Sequence, residues 1–160
     1  MKFPAEMTPR GPRLDVPTAH TLEATEGLGL HSLGSMPTDL RLTVTITPLQ
    51  PTIAYGVTVR ASGDYSRGYE ARVSPSQKTV EVRRPLAGPF PAPAPNALFA
   101  VDGLDGPVTL EIVCQGDVLD LCLNDNRVLG ARIPQDGPDE LMLFCQDGAV
   151  RFDELTIEAL

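Results

Sequence analysis

The residues best equipped for chemistry lie close together, in the run Asp64-Tyr65-Ser66-Arg67-Gly68-Tyr69. Two aromatic rings, a guanidinium and a carboxylate fall within this short stretch. Such a set can hold a sugar, because the C–H faces of a sugar ring stack on tyrosine while charged forks take its hydroxyls. Asp64, Tyr65, Arg67 and Tyr69 are therefore the candidate sugar-binding residues. A plainer alternative makes Tyr69 a core residue and Tyr65 a loop anchor. Three Tyr, five Phe and no Trp are few for a domain that must also fill a core.

Other chemistries find less support. His20 and His31 stand in a Gly-containing region without a third ligand at metal spacing, and no metal or cofactor is expected. Asp125-Asn126 and Asp147-Gly148 suit calcium by composition, but turn formation already explains them. Cys114, Cys122 and Cys145 form an odd set without Cys-x-x-Cys spacing, and read as small buried hydrophobes in a reducing compartment. Ser62 and Ser66 lack a nucleophile-elbow context, and Gly27-Leu28-Gly29 lacks the rest of a phosphate-binding fingerprint. Twenty-one acidic residues offer many pairs, but no motif marks one out as an acid and a nucleophile.

The elements that must position these residues are strands. Residues 107–114 carry Val108, Leu110, Ile112 and Cys114 at period two, and Leu119, Leu121 and Leu123 repeat the pattern. A two-residue Gly116-Asp117 turn pairs Cys114 with Leu119, Ile112 with Leu121 and Leu110 with Leu123, all on one face. Cys122 then points to the opposite face from Cys114, so these two should not bond. An odd-length loop at Asn124-Asp125-Asn126 keeps Leu129, Ala131 and Ile133 on the face of Leu121 and Leu123. Asp147-Gly148 reads as another two-residue hairpin, setting Cys145 against Val150 and Leu143 against Phe152. A bulge near Asp153-Glu154 reconciles Val150 and Phe152 with Leu155, Ile157 and Ala159.

Upstream, residues 18–33 form a weak strand region and residues 40–47 a strong strand with Leu40, Leu42, Val44 and Ile46 inward. Ile53, Tyr55, Val57 and Val59 share the next inner face, and strands follow at 69–73, 79–84 and 98–101. Residues 86–96, with prolines at 89, 91, 93 and 95, read as an extended surface loop. No 3.6-residue apolar period persists, and sixteen prolines and fourteen glycines suit many short strands. About eleven or twelve strands at turn-punctuated spacing predict an all-β fold, a two-sheet antiparallel β-sandwich of the concanavalin-like jelly-roll kind. Residues 1–17 form a lead-in segment or linker and residues 18–160 a single β-sandwich domain.

A formal charge of -8 argues against nucleic acid or an anionic membrane as partner. Residues 1–13 contain no apolar stretch of the secretory type, so a cytoplasmic location is expected.

In order along the chain come Gly68-Tyr69-Glu70-Ala71-Arg72-Val73, a strand ending in Arg83-Arg84, and "LEIVCQGDVLDLCLNDNRVLGARI". Together they resemble the carboxy-terminal β-sandwich of glycoside hydrolase family 32, the fructan- and sucrose-cleaving β-fructosidases, over residues 40–160. Asp120 and Cys122 stand where that family usually has Glu and Phe. The closing "DGAVRFDELTIEAL" also resembles the ends of other concanavalin-like sandwiches. The resemblance implies a non-catalytic module, since in that family catalysis belongs to an amino-terminal five-bladed propeller. The propeller's Trp-Met-Asn-Asp-Pro, Arg-Asp-Pro and Glu-Cys motifs are absent from this sequence. It also implies partners: a catalytic propeller of the same or parent protein, and a second copy in a homodimer. The alternative is an autonomous, lectin-like carbohydrate-binding domain.

Overall fold

The computed structural model describes residues 12–85 and 96–160. Among them are ten strands and no helix. They are β1 (His20–Ser35), β2 (Leu40–Pro48), β3 (Ala54–Ala61), β4 (Tyr69–Ser74), β5 (Thr79–Arg83), β6 (Asn96–Leu98), β7 (Val108–Gln115), β8 (Val118–Leu123), β9 (Asn126–Arg132) and β10 (Glu140–Ala159).

The architecture follows from β10. Its first part, from Glu140 to Gln146, pairs with β3, and its second, from Val150 to Ala159, pairs with β2. Strand β1 lies along its other edge from Glu140 to Phe152, opposite the first part and the start of the second. From β3 one sheet continues through β4 and β5 to β6, and from β2 the other continues through β7 and β8 to β9. Every pairing is antiparallel. At the far ends β6 approaches β9, so the two sheets form a nearly closed sandwich. Inside it, Leu42, Val44 and Ile46 of β2 face Tyr55 and Val57 of β3 and Phe152 and Ile157 of β10 in one apolar core. Fully buried Tyr55 keeps its hydroxyl satisfied by donating to the Leu104 carbonyl at 2.9 Å.

The hairpin of β7 and β8 has the expected register, with Cys114 opposite Leu119, Ile112 opposite Leu121 and Leu110 opposite Leu123. Leu129 and Ala131 of β9 do lie opposite Leu121 and Leu119. They reach that face by a two-residue turn and a register shift after Leu121 instead of an odd loop. Asn124 and Asp125 both take positive φ, 49° and 66°, as a type I′ turn requires. The bulge at Asp153-Glu154 is present too: Glu154 has φ 54°, and beyond it Leu155 and Ile157 turn into the core.

Asp147-Gly148 is not a hairpin turn. Strand β10 runs straight through it as a bulge, with Asp147 at φ 47°. Positive φ is tolerated by Asp in turns and bulges alike, so the dipeptide alone does not separate them. The bulge marks where β10 exchanges β3 for β2, and β1 shifts register at the same level, between Ala24 and Leu28. Asp147 accepts the N–H of Gly27 across this break. Gly148 is glycine because a Cβ there would lie 2.1 Å from Thr52 Oγ1. That hydroxyl donates to the Gln50 carbonyl at 2.9 Å and accepts the Ala149 N–H at 3.2 Å, satisfying backbone that the bulge leaves unpaired.

Three smaller departures have local causes. Strand β3 begins at Ala54, leaving Ile53 46% exposed, because Ile53 belongs to the link that steps from one sheet to the other. Strand β6 ends at Leu98, where a strand was expected to begin; Ala100 at φ 59° turns the chain out and leaves Phe99 exposed. The expected one-sided burial also fails on β3, whose eight residues are all buried, and on β8, where Asp120 and Cys122 are buried. Val113, Cys122 and Leu160 form a second apolar cluster on that outer face. The proline-rich stretch read as a surface loop lies, over residues 86–95, outside the described residues, as do residues 1–11 of the lead-in segment. From Pro12 the chain runs beside the end of β10, Leu14 N–H bonding the Ile157 carbonyl and Ala159 N–H the Pro12 carbonyl.

If the Thr52 contact is what demands glycine at the β10 bulge, Gly148→Ala costs about 1–3 kcal/mol or more by forced overpacking. Gly106→Ala, whose nearest neighbour would be 3.8 Å away, stays within about 0.5 kcal/mol of the parent. Denaturant titration of both variants checks this, and equal losses would contradict it.

Candidate functional site

The loop joining β3 to β4 is held by its own serines. Ser62 N–H bonds the Arg67 carbonyl at 3.0 Å, and Arg67 N–H bonds Ser62 Oγ at 2.9 Å. Asp64 Oδ1 accepts from Ser62 Oγ and Ser66 Oγ, each at 2.7 Å, and from Ser66 N–H at 3.1 Å. The Ser62 and Ser66 hydroxyls, donating to the charged form, hold this exposed carboxyl down at about 2.

The two tyrosines part company. Tyr65, at φ 60°, sends its hydroxyl to Thr58 Oγ1 at 2.7 Å and donates to Glu70 Oε2 at 2.6 Å. Burial, then the Glu70 charge, raises the Tyr65 pKa well above that of a free phenol. Tyr69 pairs opposite Val59 and packs against the core, one position out of phase with the Thr58–Glu70 pair. Because alternate residues of a strand face opposite sides, Tyr65 and Tyr69 lie on opposite faces of the sheet and offer no joint stacking platform.

On the outer face, Tyr65 leads into a buried charged row. Arg72 Nη1 lies 3.4 Å from Glu70 Oε1, Arg72 Nε lies 4.0 Å from Glu81 Oε1, and Arg83 Nη1 donates to Glu81 at 2.9 Å. Arg72 also donates to Gln146 of β10, and its guanidinium sits 6.0 Å from the centre of the Phe144 ring. Desolvation raises the Glu70 pKa, against the pull of Tyr65 and Arg72. Each group here is spent on another, which makes the row a tie between β3, β4, β5 and β10.

Arg67 and Tyr69 meet elsewhere, at a cleft of about 260 Å³ shared with Arg60, Arg84 and Asp136 and walled by Pro85, Pro134 and Pro138. Gly68 allows it: at φ 143°, a Cβ there would come within 2.8 Å of Thr58 Cγ2. Gly137, at φ 114°, seats the Arg67 guanidinium, since a Cβ would lie 2.8 Å from Arg67 Nη2. Arg60 forms the floor. It donates to the carbonyls of Pro134 at 2.6 Å, Gly116 at 2.8 Å and Thr38 at 3.1 Å, which pins β3 to three loops. Arg84 and Asp136 escaped the sequence reading, being far from Arg67 in the chain; the paired arginines closing β5 were the available signal. A larger cleft of about 650 Å³, between the β2–β3 link and residues 101–105, gave no sequence signal.

The remaining candidates are placed plainly. His20 and His31 come together with ring centres 4.7 Å apart, brought there by the bulge in β1 at Gly27. Among the described residues no three His, Cys, Asp or Glu side chains gather as metal ligands. The three cysteines are free and buried, and desolvation pushes the Cys114 thiol up to about 12.

No known protein family and no curated protein matches the sequence. Solved structures do match. The carbohydrate binding module CBM66 from Bacillus subtilis superposes with a TM-score of 0.71 at 19% identity, over 93% of this chain and 92% of that one. A fructosyltransferase from A. japonicus gives 0.67 at 14% identity, over 94% of this chain and 26% of that one. The exo-inulinase from Aspergillus awamori gives 0.58 at 11% identity, over 88% and 28%. The chain has the jelly-roll sandwich fold. The resemblance to the sandwich of the β-fructosidases holds as a likeness of fold, and this chain spans about a quarter of the length of the two fructan-related enzymes.

The loop chemistry makes a direct prediction. In an NMR titration the Asp64 carboxyl has its midpoint near 2, and in the Ser62→Ala/Ser66→Ala double variant it rises toward the ordinary carboxylate value. Because the folded pKa is the depressed one, the stabilisation is present above the unfolded pKa and is lost as pH falls through about 2. An unmoved midpoint would contradict the hydrogen-bond account.

Proposed function

We propose that this chain is a non-catalytic β-sandwich module that binds carbohydrate at the Arg67–Tyr69 cleft. The observation that carries the reading is the convergence there of an aromatic ring, two exposed guanidiniums and the Asp136 carboxylate, residues from three separate parts of the chain. Small-ligand sites are usually concave and mostly apolar; this cleft is concave but lined mainly by charged and polar side chains, which suits a ligand rich in hydroxyls. The likeness to a carbohydrate binding module over nearly the full length of both chains supports the same reading.

A second reading makes the sandwich a stabilising partner of the catalytic propeller in a fructan- or sucrose-cleaving hydrolase. It is favoured by the fructosyltransferase and exo-inulinase, in which the matched region is only 26% and 28% of a longer chain. Exposed Leu28, Leu30, Leu49, Ile53 and Phe99 supply apolar surface for such packing.

A glycan array carrying neutral fructans and charged glycans, probed with the intact chain, separates the two. The proposal expects binding that Arg67→Ala abolishes without lowering the melting temperature. No binding to any glycan, together with a raised melting temperature on mixing with a catalytic propeller, would favour the stabilising role instead.

A further inference from the structure

We infer that the cleft selects sugars bearing an oxyanion, a carboxylate or a phosphoryl group, over neutral ones. This deepens the carbohydrate-binding proposal and rests on it. The argument starts from how the arginines are used. Arg41, Arg60, Arg72, Arg83, Arg132 and Arg151 each lie within 4.0 Å of a carboxylate. Arg13, Arg67 and Arg84 have no such partner among the described residues, although the chain holds twenty-one acidic residues against thirteen basic ones. Two of the three, Arg67 and Arg84, line the same cleft.

The floor adds to this. Arg60 is 7% exposed and lines the cleft, and its Nε is a buried donor without a hydrogen-bond partner among the described residues. Its charge is met mostly by backbone carbonyls, with Asp39 only at 4.0 Å. Among the described residues Asp136 is the single carboxylate on the cleft wall, so three guanidiniums outnumber it. Planar guanidinium forks match the paired oxygens of carboxylate and phosphate, giving short charge-assisted bonds that a neutral hydroxyl cannot equal. Tyr69 and the proline walls are left to meet the apolar faces of the sugar, and Asp136 to take a hydroxyl proton.

Isothermal titration of the full chain tests this with four probes: glucuronate, glucose 6-phosphate, glucose and inorganic phosphate. The inference expects at least one acidic sugar to bind tenfold or more tighter than glucose, with affinity falling as salt rises. Arg84→Gln should lose about tenfold of that affinity, whereas Arg132→Gln, whose arginine is paired with Asp117 elsewhere, should lose none. Glucose binding as tightly as the acidic sugars, with Arg84→Gln silent, would overturn the inference and leave the sugar cleft standing. Inorganic phosphate binding as tightly as glucose 6-phosphate would overturn it by removing the sugar's part. No binding by any probe at the cleft would overturn both.

Discussion

The fold depends on one strand meeting two sets of partners. Strand β10 carries backbone donors and acceptors on both edges for twenty residues, and every one that is buried needs a partner. Along one edge β1 pairs with it from Glu140 to Phe152, with register shifts of its own, while along the other β3 must hand over to β2. No straight ladder spans such a handover. The Asp147 bulge, the Gly27 bulge in β1 and the Thr52 hydroxyl together close the gap. Two sheets then share a pair of strands, and the core between them is closed on that side by β1 along β10.

The same economy governs charge. A sandwich with burial on the outer faces of β3 and β4 has to place Glu70 and Arg72 out of water, which is costly unless each is paired. Tyr65, Gln146, Glu81 and Arg83 complete that pairing. Arg60 solves a related problem at the end of the sandwich, where loop carbonyls from Thr38, Gly116 and Pro134 find a donor in its guanidinium. Against this background of spent charges, Arg67 and Arg84 are two without a carboxylate partner among the described residues, and they share one cleft. A cleft walled by glycine-dependent close approach at Gly68 and Gly137 is where they sit.

Much of this was legible in the order of residues. Alternation of Leu110, Ile112 and Cys114 with Leu119, Leu121 and Leu123 defined a hairpin because a one-residue slip would expose the whole set. Asp147-Gly148 was misread because positive φ and a missing side chain serve a bulge as well as a turn, and only the distant Thr52 reveals which is required. The Asp64–Tyr69 run pointed to the right neighbourhood, yet adjacency in sequence concealed that Tyr65 and Tyr69 would fall on opposite faces. Arg84 and Asp136 join the cleft through sheet pairing and loop closure, which no local spacing encodes. Burial on the outer faces was likewise hidden, since strand alternation marks one covered face and is silent about what later elements lay over the other.

The central claim, that this sandwich meets carbohydrate between Arg67 and Arg84, is tested most directly by crystallising the chain with an acidic disaccharide. The account predicts the sugar in the cleft, its acidic group within hydrogen-bond distance of both guanidiniums and its ring against Tyr69. A sugar seated instead in the larger cleft beside Pro51 and Asp105, with the Arg67 cleft empty, would contradict it.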